Sequence, residues 1–436
     1  MNNFKRRFLF TAITLFCLGM VVKAQGISRT SSNDSIFSVI EQMQNDQKKS
    51  NKLKISGFVH AEYQHADTAG IQSMAGGSFN PGTNDRFMIR RAFLKFAYAE
   101  GLTDVVLQVN MTEKGIGLKD AYIRITDPWF KTSGITAGLF NRPFGYEITY
   151  ISNLRESPER SRVFQILFPG ERDLGAMLTL QPSKTSSFNF LHMDLGIFNG
   201  NGINVETDKY KDFIGHLSAE SSSSNNLFNW GIGASLYEGG FASVTSKAYS
   251  LAEVDGAKAF MGKDITIGER VKRQYAGIDG QIKYNGKAGA TKIMAEFLTG
   301  TQPASYSSTS SLTNAASGDV YSRKFNGYYV YFIQNILQSP LQLVIKYDVY
   351  DPNIEISGNE IGQTVAGGVS TGSSDIKYST LGFGMNYRLS QNIRLLAYYD
   401  VVRNETTSHL RNSSTLSDLS HDRKDNVFTL VMQYKF

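Results

Sequence analysis

The 436 residues carry a formal charge of +6, a single cysteine, and an aromatic share of 12% made up largely of 28 Phe and 22 Tyr. One cysteine excludes a disulfide framework and a thiolate metal cluster, and no apolar run after the first two dozen residues reaches the roughly 20 that a spanning helix needs. Lys5, Arg6, Arg7 and Lys23 account for much of the charge; the rest of the chain sets 41 basic against 39 acidic residues with no basic block, which leaves no case for nucleic-acid binding.

In chain order, Lys5, Arg6 and Arg7 precede an apolar run from Phe8 to Val22, followed by Val22-Lys23-Ala24. This is the pattern of a signal peptide over residues 1–24, cleaved before Gln25. Cys17 follows Phe16 where a lipoprotein signal needs a small residue, so no lipid anchor is expected. Residues 25–52 read as a periplasmic segment. Asn33 and Asp34 can cap a helix on which Ile36, Val39, Ile40 and Met43 share a face, but the stretch is too short to define a coiled coil, and helix and disorder both remain open.

From residue 53 onward, apolar and polar residues alternate at period two. Val105, Leu107, Val109 and Met111 alternate with Asp104, Gln108, Asn110 and Thr112, and Leu381, Phe383, Met385, Tyr387 and Leu389 alternate with Gly382, Gly384, Asn386 and Arg388. Sixteen such segments begin near residues 53, 86, 103, 118, 134, 173, 188, 212, 227, 275, 291, 321, 341, 378, 393 and 426. Short connections, as at 100–102 and 336–340, intercalate with long ones, as at 65–85, 142–172 and 238–273; only 113–117 breaks the rule. Alternating short and long connections are what a membrane barrel with periplasmic turns and outer loops produces. The expected fold is all-β: a sixteen-stranded antiparallel transmembrane β-barrel over 53–436, in contact with outer-membrane lipid. At this strand number the tube encloses an aqueous lumen, whose wall is expected to carry Arg124, Lys283, Lys346 and Arg394 against Asp104, Asp120, Asp194, Asp279, Glu296, Asp348 and Asp400. The last strand alternates to a terminal Phe436, which resembles the signal read by the outer-membrane assembly machinery.

Other chemistry finds little support. His60 and Glu62 share a strand face that His65 does not, which argues against a metal site. Residues 256–263, GAKAFMGK, differ from a P-loop by an extra residue between the glycines and by Asp264 where Ser or Thr should stand. No cofactor is expected. A barrel enzyme, or a surface receptor or adhesin acting through its long loops, stands as the alternative to a diffusion channel.

Several segments carry a family likeness: FMIRRAFLKF at 87–96, GLFNRPFGYE at 138–147, Glu159-Arg160-Ser161, PGERDLG at 169–175 and IFNGNG at 197–202. In this order they resemble the phosphate-selective porin O and P family, from about residue 53 to the C-terminus. The resemblance implies a homotrimer of sixteen-stranded barrels, a third loop folded inward as a constriction, and basic residues along a path for small anions, phosphate among them. Phe93 and the additional Glu171 depart from the family pattern. The basic residues that would contact anions are Arg91 and Lys95 on the non-lipid face of the second strand, Arg124 and Lys346 on the lumen wall, and Arg142, Arg155, Arg160, Arg162 and Arg172 in the long connection after the fifth strand. Arg90 is expected to snorkel at the membrane interface, and Met88 to face lipid. The loop also carries Glu147, Glu156, Glu159 and Glu171, so its arginines can either meet anions or pair internally.

Overall fold

The computed structural model describes residues 52–312 and 318–436. The signal peptide expected over 1–24, and all but the last residue of the 25–52 segment, lie outside the described residues. The period-two alternation folds into strands β1 (Leu53–Ala66), β2 (Asp85–Glu100), β3 (Thr103–Thr112), β4 (Gly115–Thr126) and β5 (Gly134–Asn141), then a helical turn α1 (Arg162–Leu167). There follow β6 (Arg172–Leu180), β7 (Leu191–Phe198), β8 (Asp212–Ser222), β9 (Phe228–Ala242), β10 (Lys247–Val254), β11 (Ala257–Asp264) and β12 (Arg270–Gly286). The chain continues through β13 (Gly289–Ala304), β14 (Val320–Asn335), β15 (Leu341–Asp351), β16 (Tyr378–Arg388), β17 (Ile393–Asn404) and β18 (Val427–Lys435).

Among the described residues, two of the eighteen strands, β10 and β11, pair with each other inside a loop, while β9 pairs directly with β12. The other sixteen run antiparallel, each to its neighbour, and the tube closes where β18 pairs with β1, from Phe58 opposite Lys435 to Ala66 opposite Val427. Closure leaves no unpaired edge, which hydrocarbon would not tolerate. No described helix is long and apolar enough to cross a membrane; the crossing is made by strands. The wall is inverted relative to a soluble protein: Ile232, Leu236 and Ile278 are exposed on its outside, while His60, Glu62, Gln64, Glu296 and Asp348 are buried on its inside.

Three expectations need correction. The connection at 238–273 is no plain loop: β10 and β11 form a hairpin within it, turning at Asp255 and Gly256, both at positive φ (52° and 78°). An Asp-Gly pair is a strong signal for such a turn. The segment GAKAFMGK therefore lies largely on β11. Second, β4 begins at Gly115, which leaves only Glu113 and Lys114 to link it to β3. Third, Arg90 does not sit at the membrane interface and Met88 does not face lipid. The β1–β2 register slips between His60, opposite Arg91, and Ala61, opposite Ile89, so Arg90 is the extra residue of a β-bulge. The bulge reverses the parity of β2. Arg91 and Phe93 lie inward on one side of it, Met88 lies inward on the other, and Arg90 turns inward with them.

A second bulge gives β4 the same treatment. Gln108 lies opposite Asp120 and Val109 opposite Leu118, so Lys119 is the additional residue, and its ammonium reaches Glu171 in the lumen at 3.7 Å. Both bulges fall where two charged residues are adjacent in sequence. Strict alternation would aim one of each pair at lipid, at roughly 2–4 kcal/mol near mid-depth.

Closure also depends on Gly57. A Cβ there would strike the Phe93 carbonyl oxygen and come within 2.7 Å of Cζ of Phe436, whose backbone exchanges two 3.0 Å hydrogen bonds with Gly57. Gly57→Val should therefore lower the temperature at which the folded band unfolds on SDS gels, by overpacking worth about 1–3 kcal/mol. An unchanged midpoint would show that the Phe436 ring is not lodged on Gly57.

Candidate functional site

The thirty residues from Arg142 to Glu171 join β5 to β6 and run inside the barrel. Their apolar members account for this. Phe144, Ile148, Val163, Phe164, Ile166, Leu167 and Phe168 are all buried, in one cluster with Tyr237, Tyr275, Phe325, Tyr329, Tyr331 and Tyr350 of the wall. Each such side chain moved out of water contributes roughly 1.5–3 kcal/mol. The wall leaves room for two of them with glycines. A Cβ at Gly277 would come 3.0 Å from the Phe144 ring, and one at Gly327 would come 2.8 Å from the Val163 Cβ.

Wall side chains satisfy the loop's backbone amides. Gly145 N donates to Ser235 Oγ at 2.8 Å, and Tyr146 N and Glu147 N donate to Glu296 Oε2 at 3.2 and 3.1 Å. Arg162 N donates to Asp348 Oδ1 at 3.2 Å, and the Ser157 and Tyr331 hydroxyls lie 2.7 Å apart. Buried amides left unpaired would oppose this position; here they fix it.

The loop's charges form two ion-pair clusters. In the first, Glu159 Oε1 accepts from Arg90 Nε at 2.5 Å and Oε2 from Arg91 Nη2 at 2.6 Å. In the second, Glu171 pairs with Arg160 and with Arg172 at 2.8 Å, Arg172 also reaches Asp120 at 2.9 Å, and Lys119 lies 3.7 Å from Glu171. Burial alone would raise the Glu159 carboxyl, but the charges of Arg90, Arg91 and Arg155 outweigh it and hold it below the ordinary carboxylate range. Burial likewise opposes ionisation of Glu171, and Arg160, Lys119 and Arg172 hold it well below that range.

The sequence-predicted residues therefore separate by role. Arg142 donates to the Glu171 and Pro169 carbonyls, Arg155 to those of Ser157 and Pro158, and Arg160 to those of Glu147, Ile148 and Tyr150 besides its ion pair. These arginines, with Arg91 and Arg172, are occupied in holding the loop. The Arg162 guanidinium stacks 4.1 Å above the Tyr378 ring. Lys346 pairs with Asp348 at 3.3 Å and donates to the Glu159 carbonyl at 3.4 Å. Lys95 and Arg124 stand apart from both clusters, and Arg124 donates one bond, to the Thr132 carbonyl at 3.3 Å. Arg90 and Lys119 join the site although alternation excluded them; the adjacent charges Arg90-Arg91 and Lys119-Asp120 were the available signal. His60 hydrogen-bonds Gln433 at 2.7 Å, while His65 pairs with Asp85 on the other face.

Space remains below the loop. A chamber of about 980 Å³ carries His192, Asp194, His216 and Asp279, and a second of about 550 Å³ carries Lys95, Arg124 and Arg172. Thr149 and Asp194 line both, so the two adjoin. Above the loop lies a pocket of about 30 Å³ between Ser73–Ala75, Glu159, Arg162 and Lys346, room for about two waters at ~10–15 Å³ each. Arg160 lines both this pocket and the 550 Å³ chamber, so it stands between the small space above and the larger one below.

No family model matches the chain, and no curated protein matches it in sequence. Solved structures do match in shape. An anion-selective porin from Comamonas acidovorans aligns with a TM-score of 0.51 at 10% identity, over 88% of this chain and 99% of that one. The outer-membrane channel DcaP of Acinetobacter baumannii aligns at 0.51 and 13%, over 88% and 97%. OmpF of Salmonella typhi, solved with daunomycin, aligns at 0.50 and 11%, again over 88% and 97%. At such identities the likeness establishes the fold alone, a closed sixteen-stranded transmembrane β-barrel.

Two outcomes follow for the loop. Glu159→Gln leaves Arg91 buried without a charged partner, a change worth roughly 3–5 kcal/mol, and should make the loop protease-sensitive in folded protein; unchanged resistance would show that the pair does not hold it. Because the carboxyls of Glu159 and Glu171 are depressed in the folded state, their contribution is complete above the unfolded value of about 4.3 and is lost as pH falls through the lower folded values. Protease resistance should be flat from neutral pH down to that point and fall only in stronger acid. A loss beginning above pH 5 would contradict the assignment.

Proposed function

We propose that the chain is an outer-membrane porin, a channel for passive diffusion of small hydrophilic solutes that favours anions, with phosphate as the narrower candidate within that class. The reading rests above all on the charges around Arg160. Five cations, Arg90, Arg91, Lys119, Arg160 and Arg172, are tied there by ion pairs to three carboxylates, Glu159, Glu171 and Asp120. Within these ion pairs the cations outnumber the carboxylates, and low-dielectric walls focus their field on the path, while Asp348, Asp400 and Asp425 balance Arg162 and Lys346 in the pocket above. Although these guanidiniums are engaged, their charge still acts over a few ångströms, within the roughly 8 Å screening length at physiological salt. Passage past Arg160 restricts the solute to small species. Assembly as a homotrimer in the outer membrane, delivered by the assembly machinery through its terminal strand, belongs to the same proposal.

Purified protein in a planar bilayer under a tenfold KCl gradient should give a reversal potential of the sign set by chloride, and millimolar phosphate should lower the chloride current. A cation-selective or unselective potential would overturn the anion preference. Folded barrels that carry no current would overturn the channel itself.

A further inference from the structure

Beyond the wall that seats the loop, the 550 Å³ chamber also has an aromatic side. Phe93, Tyr122, Phe140 and Met177 all line it. Phe93 packs on Phe58 with ring centroids 4.8 Å apart, and Tyr122 meets Phe140 edge-on at 6.0 Å. A passage meant only for hydrated ions gains nothing from such a wall. Strand register places cations beside it. Arg124 is two residues beyond Tyr122 on the same face of β4, and Lys95 on β2 lies opposite Gln108, which in turn lies opposite Asp120. Of the nearby acids, Asp120 is engaged by Arg172 at 2.9 Å and Asp194 by His192 at 3.0 Å and Thr179 at 2.6 Å, while Asp104 lies opposite Arg124 in the β3–β4 register and forms no ion pair with it among the described residues. Among the described residues Arg124 makes one hydrogen bond, through one Nη2 hydrogen, which leaves Nε, Nη1 and the second Nη2 hydrogen for a ligand.

We infer that this chamber binds organic anions with a flat apolar body, aromatic carboxylates, with the ring against Tyr122 and Phe93 and the carboxylate at Arg124 or Lys95. The volume lies within the roughly 300–1,000 Å³ of small-molecule sites, which combine apolar walls with a few placed polar groups. Inorganic phosphate fits less well. It requires several donors converging from all sides, and an aromatic wall removes its water without replacing the hydrogen bonds. An aromatic carboxylate presents each wall with a matching surface, its ring to the aromatics and its charge to a guanidinium able to bind both oxygens. The inference rests on the porin reading insofar as solutes must reach the chamber, but binding can be measured without transport.

The test is calorimetric titration of benzoate, acetate and phosphate into the detergent-solubilised full barrel, paired with block of chloride current in bilayers. Benzoate should bind about tenfold more tightly than acetate or phosphate. Tyr122→Ala should weaken benzoate roughly fivefold while leaving acetate unchanged. Arg124→Gln should weaken both carboxylates, and Tyr122→Phe, which keeps the ring, should retain benzoate affinity and so separate loss of the platform from damage to the fold. Equal affinity for benzoate and acetate, or benzoate binding indifferent to Tyr122→Ala in heat-modifiable protein, overturns the inference. If the barrel conducts but shows no benzoate preference, this site fails and the porin reading stands; if it binds benzoate as expected but carries no current, the site stands and the porin reading fails.

Discussion

A closed tube of sixteen strands encloses more space than its own side chains fill, and here part of the excess is occupied by the thirty-residue connection between β5 and β6. Much else follows from seating that connection. Its apolar residues need a dry wall, and β9, β12, β14 and β15 supply one from Tyr237, Tyr275, Phe325, Tyr329, Tyr331 and Tyr350. Its charges cannot be left unpaired at that depth. Arg90, Arg91, Lys119 and Asp120 come from the wall to meet them, and two bulges aim those residues inward. The place of Arg160 between the pocket above and the chamber beneath, and the two ion-pair clusters around it, are consequences of how the loop is held.

This division of labour separates charge that acts from charge that touches. Arg160, Arg155 and Arg142 are bound into the loop through carbonyls and Glu171, and Arg155 Nη1, which has no partner, is buried, so they act mainly through their field. The donors open to a solute lie lower, at Lys95 and Arg124, beside an aromatic wall. In the channel proposed above, a solute would meet the long-range field of the ion-pair clusters before the short-range contacts of the chamber, where apolar surface and directed hydrogen bonds lie together.

Much of the fold was legible because lipid imposes a strict rule on each strand. Period-two alternation located all sixteen wall strands, and the inward placement of Asp279, Glu296, Lys346, Asp348 and Arg394 follows from it. The rule fails where a residue is inserted. Arg90 and Lys119 broke parity, and a reading that permits no bulge assigns Arg90 to the interface. The hairpin of β10 and β11 was missed because, outside the membrane, alternation of eight residues such as Lys247–Val254 does not stand out from an ordinary loop. Which partner each loop charge takes was not legible. Glu159 meets Arg90 and Arg91 from nearly seventy residues away, and only the register of the whole barrel brings them together.

The central claim is that α1 lies inside the barrel against β14, and covalent capture tests it most directly. A Cβ at Gly327 would stand 2.8 Å from that of Val163, close enough to reach the ~3.5–4.5 Å of a disulfide with slight relaxation. In a chain carrying Cys17→Ser to remove the sole native cysteine, Val163→Cys with Gly327→Cys should oxidise almost completely in the folded barrel and resist labelling by a bulky maleimide. Two free thiols, both labelled in protein that remains folded, would place the loop outside the lumen and contradict the account.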